Sequence, residues 1–470
     1  MRMSPSEAVM WAVEKDPALR SDFCNVTVLD TLPSEDRLRA TVERAIVAIP
    51  RLVDRVVSPP LRIAAPEWRP DPTFDVDYHI RRIAIPHPGA MRDFFDVAQI
   101  TTAPPLDRSR PLWEFTLVEG LEGGRAALLQ RLHHTITDGV GGMRLSLSLV
   151  DLEREPAPRL EDDVRAITTE MANEGRDEHA EDPIDRDSSV DVICEALGDR
   201  AAQAIDLTQQ LAGAAFRLAT EPRRLPARVR GAGELLASLR RQVLVTDRAH
   251  SEMFTVRSLA RRYDALAVDL DPLHRAGKAH GASLNDVFVT GVSRALAAFH
   301  REFGERPETL RMAMPVSTRG RGDFAANRFA PSRVVVPIAI DAADEHLLAM
   351  HATLQGIRHE PALEAADLLA ALTAGVPTSV LVSLLRAQTR TIDFATSNLR
   401  GSPVDLYLGG ARIEASYPMG PRAGVPVNVT VMSYCGELHL GIHSDPAALV
   451  DPDLFLDSLR DAFAELAALG

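Results

Sequence analysis

The stretch that most constrains the fold of this chain lies at residues 126–150. Residues 126–132 are short and largely apolar, which predicts a buried strand. Residues 140–150 begin with glycines and continue with spaced leucines, which predicts a helix that opens just past a glycine turn. His133, His134 and Asp138 therefore lie where a core strand ends, and strand ends of this kind commonly present reactive groups.

The adjacent histidines suggest a division of roles. A histidine acts as a base near neutral pH when its tautomer is fixed and its free nitrogen faces a substrate. Successive side chains of a strand point to opposite faces, so His133 and His134 cannot both face one cavity if the strand continues through them. We expect one to react and the other to support it. Asp138 can hold the loop by pairing with a cation, and Gly139 lets the backbone turn sharply into the helix.

The spacing leaves two other interpretations of the pair open. Two histidines and an aspartate could bind a metal ion, although one strand and a tight turn would aim the two rings apart. The two histidines could also be purely structural.

Length and charge limit the classes of protein to be considered. A chain of 470 residues exceeds the usual size of a single core, which predicts two domains. The net charge of −14 argues against a general nucleic-acid binder. Three distant cysteines (Cys24, Cys194 and Cys435) lack metal-site spacing, which indicates reduced thiols in a cytosolic protein.

The sequence predicts a protein that is soluble or lies on a membrane without spanning it. The N-terminus lacks the basic-then-apolar pattern of a secretion signal. The uncharged run at 368–385 contains Gly375 and Pro377, which favours two helices around a proline break. Residues 156–187 have the composition of an acidic, solvated linker. The arginines between 217 and 241 could attract anionic lipids or CoA phosphates, or could form a solvated helical face.

Several shorter patterns predict local structure. Ser4 to Glu7 forms a capping box before a helix, and residues 34–49 form a second amphipathic helix. We expect Trp113, in the block 105–114, to fill the base of a core rather than to contact substrate, and His79 to be structural.

A second polar pair, Asn285 and Asp286, opens a long helix that spans residues 287–300. Ser283 is the predicted N-cap and Asp286 completes the capping box. The spare N–H groups and the dipole of a helix N-terminus favour developing negative charge, so Asn285 could donate to an oxyanion. The alternative is that both residues only cap the helix.

Taken together, these segments resemble one family. The His-His-x-x-x-Asp-Gly motif is similar to the active-site motif of the bacterial wax ester synthase/diacylglycerol acyltransferase family, within the CoA-dependent acyltransferase superfamily. The block 105–114, the pair Asn285-Asp286 and the closing segments from residue 407 match further landmarks of that family in order. The run Ser397-Asn-Leu-Arg-Gly-Ser402 departs from the usual Ser-Asn-Val-Pro-Gly-Pro, which predicts a looser loop with different substrate contacts.

The resemblance implies a mixed α/β fold with two chloramphenicol acetyltransferase-like sandwich domains and an active-site channel between them. They would cover residues 1–155 and 251–470, joined by an acidic linker and a basic helical crossover at 156–250. It also implies roles for individual residues: His134 as general base, His133, Asp138 and Gly139 as loop support, Asn285 as oxyanion donor, and Asp286, Ser397 and Asn398 as substrate contacts.

The expected reaction is O-acyl transfer from a long-chain acyl-CoA to diacylglycerol, with fatty alcohols as second acceptors. Acyl-CoA would be a substrate, and no cofactor or metal is expected. The partners would include a membrane or lipid-droplet surface, with a cytoplasmic, peripheral location. Two alternatives remain: another CoA- or carrier-protein-dependent acyltransferase of the same superfamily, or a non-catalytic lipid-binding paralogue.

Overall fold

The computed structural model describes residues 1–58, 65–136, 145, 148–156, 249–317, 329–357 and 376–470. Asp138 and Gly139, nearly all of the predicted linker and crossover, and residues 368–375 of the run at 368–385 lie outside these residues. Among the described residues, no helix is both long and apolar enough to cross a membrane.

The described helices follow the capping signals of the sequence. Ser4 Oγ accepts the Glu7 N–H at 3.3 Å, while the Glu7 carboxylate accepts the Ser4 N–H at 2.8 Å, as the predicted capping box requires. Ser283 forms a capping box with Asp286 at the start of the sixth helix, and Ser34 caps the second helix by accepting the Arg37 N–H. The helices are α1 (Pro5–Val13), α2 (Glu35–Ala48), α3 (Val76–His79), α4 (Met91–Thr102), α5 (Leu270–Ala279), α6 (Leu284–Glu302), α7 (Ala343–Ile357), α8 (Thr378–Thr389) and α9 (Pro452–Ala467).

The described strands form two six-stranded sheets and one small two-stranded sheet. The first sheet has the order β11-β12-β1-β6-β5-β4, the second has the order β7-β14-β13-β10-β8-β9, and β2 pairs with β3. Both large sheets mix parallel and antiparallel neighbours. The strands are β1 (Asp22–Leu29), β2 (Asp54–Val57), β3 (Glu67–Pro70), β4 (Ile80–Ala84), β5 (Trp113–Leu121), β6 (Arg125–His133), β7 (Arg262–Asp269), β8 (Thr309–Ser317), β9 (Phe329–Pro337), β10 (Phe394–Leu399), β11 (Tyr407–Leu408), β12 (Ala411–Met419), β13 (Val427–Tyr434) and β14 (Glu437–Ser444).

Each face of the first sheet has its own apolar cluster. One cluster joins α2 to one side of β1, β5 and β6, and the other joins Phe94 and Phe95 of α4 to the opposite side. Trp113 is fully buried in the first cluster and donates its indole N–H to the Leu52 carbonyl at 2.7 Å. This is the architectural position predicted for the block 105–114.

His79 is also part of the packed interior. Its ring stacks on Trp113 at a centroid distance of 4.4 Å, and its Nδ1 donates to the Trp113 carbonyl at 2.7 Å. Burial lowers the pKa of His79 to about 4, so the ring is neutral at physiological pH. These contacts match the structural interpretation of this histidine.

The two halves of the chain are interlocked rather than merely adjacent. Strands β11 and β12 come from the second half of the sequence, yet β12 pairs antiparallel with β1 of the first sheet. On another side, Arg92 of α4 contacts Asp264 of β7 at 2.6 Å, and Arg386 of α8 forms an ion pair with Asp16. The end of the first sheet that carries the two histidines is therefore fixed by elements from both halves.

Candidate active site

The two histidines lie at the end of β6, as the apolar run predicted. His133 is the last residue of the strand and lies opposite Asp22 of β1, while His134 begins the following turn. Three backbone hydrogen bonds fix this turn: His133 N–H to Leu112, His134 N–H to Ser21, and Ile136 N–H to the His133 carbonyl. The strand ending therefore gives the two rings different surroundings.

His133 is fully buried, and protein atoms approach both of its ring nitrogens. The Thr135 N–H donates to Nδ1 at 3.2 Å, and Thr135 Oγ1 lies 2.6 Å from the same nitrogen. On the other side, Nε2 lies 2.6 Å from Glu14 Oε2, a close electrostatic contact whose angle is poor for a hydrogen bond. The edge of Trp11 closes this side of the ring at a centroid distance of 6.4 Å. His133 is thus held in place by its neighbours.

His134 has a different environment. Its ring lies deep, tilted against Phe23 at a centroid distance of 4.9 Å, but part of its surface stays accessible. Burial, followed by the neighbouring His133, lowers the pKa of His134 to about 4, while Asp22 opposes this shift. The imidazole is therefore neutral at pH 7, which is the form that can accept a proton.

A buried ion pair supports the strand beneath the histidines. Arg131 of β6 contacts Asp22 of β1 at 2.7 Å and donates to the Pro104 carbonyl at 2.7 Å. Burial alone would raise the pKa of Asp22, but the Arg131 guanidinium more than compensates and holds it below its ordinary value. A shift of β6 against β1 would separate Arg131 from Asp22 and leave buried charges uncompensated. The pair therefore opposes such a shift.

Arg51 ties the turn to the N-terminal helix. Its Nη1 contacts the Glu7 carboxylate at 2.8 Å and donates to the Thr135 carbonyl at 3.0 Å. Because Glu7 belongs to the capping box of α1, the first turn of that helix is bound to the residue that follows His134.

The second polar pair lies at the start of α6. Asn285 is partly exposed; its amide N–H donates to Met314 Sδ at 3.8 Å, and its Oδ1 accepts from Asn398 Nδ2 at 3.3 Å. A thioether is a weak acceptor, so a stronger acceptor could recruit this N–H. Asp286 is buried: its carboxylate accepts the Ser283 N–H at 2.7 Å and contacts His351 Nδ1 at 2.8 Å. Asp286 therefore has the contacts of a residue that caps the helix, which is the alternative that the sequence leaves open.

Ser397 and Asn398 lie on strand β10 rather than in a loop, because β10 pairs in parallel with β13. The segment that follows is tied on both sides: Gly401 N–H donates to Ser433 Oγ at 3.3 Å, and Cys435 N–H donates to the Ser402 carbonyl at 3.0 Å. The looser loop and its different substrate contacts stay a prediction, because these two hydrogen bonds do not compare the segment with one that carries the prolines.

Four residues that contact the motif were not predicted from the sequence: Glu14, Phe23, Arg51 and Thr135. Glu14, Phe23 and Arg51 are far from the motif in sequence, and only the pairing of β1 with β6 and the packing of α1 bring them to it. Thr135 could have been found, because it lies within the motif and a threonine two residues after a histidine can reach its ring.

Comparison with protein families gives matches over both halves of the chain. The wax ester synthase/diacylglycerol acyltransferase catalytic domain matches residues 3–288, and the C-terminal domain of the same family matches residues 325–467. A protein of Mycobacterium tuberculosis (strain H37Rv) that is named as a diacylglycerol O-acyltransferase is 33% identical, over 99% of this chain and 92% of the relative. A similarly named Mycobacterium bovis protein is 30% identical over 81% of this chain and 79% of its own.

Solved structures share the fold. The wax ester synthase/diacylglycerol acyltransferase from Marinobacter aquaeolei VT8 has a TM-score of 0.61 at 20% identity, over 99% of this chain and 98% of that one. The starter condensation domain of rhizomide synthetase, in complex with C8-CoA and Leu-SNAC, has a TM-score of 0.56 at 13% identity, over 100% and 94%. The mixed α/β architecture of these neighbours confirms the predicted fold class.

Proposed function

Because the chain belongs to the wax ester synthase/diacylglycerol acyltransferase family, and is therefore an acyltransferase, we propose that it moves a long-chain fatty acyl group from acyl-CoA to the hydroxyl of diacylglycerol. Fatty alcohols are the second acceptor class in this proposal. The relatives named as diacylglycerol O-acyltransferases support the first acceptor, and the C8-CoA complexes of the condensation domain support acyl-CoA as donor.

One observation carries the chemistry: a neutral, partly accessible imidazole stands at the end of a buried strand and is backed by a second, immobilised imidazole. In the proposed reaction His134 takes the proton from the acceptor hydroxyl as the hydroxyl oxygen bonds to the thioester carbonyl carbon. The tetrahedral intermediate then breaks its C–S bond, and the CoA sulfur leaves with the proton returned by the imidazolium. A base of this kind contributes about 10²–10⁴-fold.

The oxyanion of the intermediate needs donors that are already in place. We assign this role to Asn285 at the N-terminus of α6, since within the described part of the chain its amide N–H donates to a thioether and the helix dipole favours negative charge. Asn398, which contacts Asn285, and its neighbour Ser397 are proposed substrate contacts on β10. Asp286 is proposed to support this site indirectly, because it caps the start of the helix that carries Asn285.

His133, Asp138 and Gly139 are proposed to hold the catalytic turn and to take no part in proton transfer. For His133 this follows from its burial and from the protein contacts of both ring nitrogens. Both lipid substrates partition into membranes, so we further propose a peripheral position on a membrane or lipid droplet.

The test measures CoA release from palmitoyl-CoA with diacylglycerol and with hexadecanol as separate acceptors. We expect the wild type to release CoA with diacylglycerol, and His134→Ala to lose about 10²–10⁴-fold in kcat with the fold intact. Retained turnover in His134→Ala would remove the assignment of the base. Release with an acyl carrier-protein thioester but not with acyl-CoA would replace the proposed donor.

A further inference from the structure

The carboxylate of Glu14 lies against the buried histidine of the motif. Glu14 is the C-cap residue of α1, its side chain is 9% exposed, and its Oε2 lies 2.6 Å from His133 Nε2. We propose that Glu14 is a positioning residue for acyl transfer, which fixes the tautomer and orientation of His133 and thereby the turn that presents His134. The inference rests on the proposed role of His134.

The proton of His133 can be located from its hydrogen bonds. A backbone N–H can only donate, so the contact of Thr135 N–H with Nδ1 requires a lone pair on Nδ1. The ring proton is therefore on Nε2, the nitrogen that faces Glu14. A carboxylate favours this tautomer by attraction, whereas a side chain without an acceptor would leave a polar N–H buried and unpaired.

Glu14 does not stabilise α1, the helix that it ends. The C-terminal end of a helix carries partial negative charge, so a carboxylate at this end is electrostatically unfavourable for α1. A cation from another segment lies nearby: Arg108 stacks on the Trp11 ring at 3.4 Å and donates to the Trp11 carbonyl at 2.9 Å, in the last turns of the same helix. Burial lowers the pKa of Arg108, and the nearby Glu14 opposes that shift. The side chain of Glu14 therefore contacts His133 without stabilising α1.

Only one residue separates Glu14 from His134: the Glu14 carboxylate contacts the His133 ring, and His133 precedes His134 in the chain. His133 is bound to Glu14 through its ring and to Leu112 through its N–H, and its carbonyl accepts the Ile136 N–H that closes the turn. Rotation of the His133 ring would break the Thr135 contact and loosen this turn. A shift of about 1 Å in a reacting group can cost about 10²-fold in rate.

The experiment compares wild type with Glu14→Met, which keeps the volume but removes the carboxylate, and with Glu14→Gln, which keeps a partially negative amide oxygen beside Nε2–H. We expect kcat to fall about 10²-fold in Glu14→Met, with KM for acyl-CoA changed by less than about twofold. Glu14→Gln should restore kcat to within about fivefold of wild type. Lys15→Ala, at the exposed neighbouring position, is the matched control and should behave as wild type.

A double-mutant cycle with His133→Ala separates this role from a merely structural one. If Glu14 acts through His133, Glu14→Met causes no further loss of kcat when His133 is already alanine. Multiplicative losses, or a kcat of Glu14→Met within about twofold of wild type, would overturn the proposal. Should Glu14→Met not fold, Glu14→Ala takes its place in the same cycle.

A second measurement does not depend on turnover. In protein labelled with 15N-histidine, His133 should show a protonated Nε2 and an unprotonated Nδ1, and Glu14→Met should shift this signal toward a tautomer mixture. If the wild type releases no CoA with any acceptor, the proposed function is wrong. The NMR signal of the His133 tautomer still shows in that case whether Glu14 positions His133. An unchanged signal in Glu14→Met would contradict the inference.

Discussion

If His134 is the base, lowering the pH from about 7.5 to about 5.5 should leave kcat/KM almost unchanged, because its ring stays neutral over this range. Burial lowers the pKa of His134 to about 4, from an ordinary value of 6.5. At pH 5.5 an ordinary histidine would be about 90% protonated, and kcat/KM would fall about tenfold. With a pKa of about 4 the ring stays about 97% neutral, and kcat/KM changes by less than about 10%.

The assay is the initial rate of CoA release at low substrate concentration, since kcat/KM reports the pKa values of the free enzyme. Circular dichroism at each pH separates a catalytic effect from unfolding. The His134→Ala variant provides the baseline, and its residual rate should lack any dependence on this group. A tenfold fall in wild-type kcat/KM between pH 7.5 and 5.5, in protein that remains folded, would refute the idea of a desolvated base at position 134.

Two further outcomes test the packing around the site. Burial lowers the pKa of His79 to about 4, so the stability it contributes is complete above pH 6.5 and is lost as the pH falls toward 4, about 2 kcal/mol by pH 5. His79→Phe keeps the stacking on Trp113 but loses the hydrogen bond to the Trp113 carbonyl. In denaturant titrations we expect its free energy of unfolding to be about 1 kcal/mol below that of wild type at pH 8, and at least equal to that of wild type at pH 5. The same difference between variant and wild type at both pH values would argue against a buried neutral ring. An added Cβ at Gly441 would lie 2.1 Å from the Pro418 carbonyl oxygen, so Gly441→Ala should push β12 from β14 and destabilise the protein by about 2 kcal/mol or more. A Cβ added at Gly356 has no atom within 4 Å, so Gly356→Ala should be neutral or stabilise the protein by up to about 1 kcal/mol. Equal melting temperatures for Gly441→Ala and Gly356→Ala would contradict this reasoning.

The predictions that held were those in which local chemistry leaves few choices. Ser4 and Glu7 form their capping box because both partners lie within one helical turn. The strand that ends at His133 follows from an apolar run too short for a helix. At these positions the local sequence is enough to indicate the element, although the exact end of β6 also depends on Leu112 and Ser21.

The predictions that failed or were missing depend on contacts between distant segments. Ser397 and Asn398 were counted in the predicted loop 397–402, but they lie on β10, where β13 supplies their backbone partners. Nothing near Ala411–Met419 indicates that this strand pairs with β1 of the first sheet. Glu14 could not be linked to His133 either, because its position there depends on how α1 packs against the first sheet.

The different surroundings of the two histidines follow from where β6 ends. His133, the last residue of the strand, has its ring in the interior, where the Thr135 N–H and the Glu14 carboxylate contact it. His134 lies in the following turn, which leaves its ring partly accessible. The backbone N–H groups of His133 and His134 donate to the Leu112 and Ser21 carbonyls and set this end point, so the difference does not depend on either imidazole having special chemistry. Identical side chains can therefore lie in unlike surroundings at adjacent positions, provided that the strand end, the buried Asp22–Arg131 pair and the N-terminal helix keep the register. Damage to any of these supports should lower activity by moving His134, even where the imidazole itself is untouched.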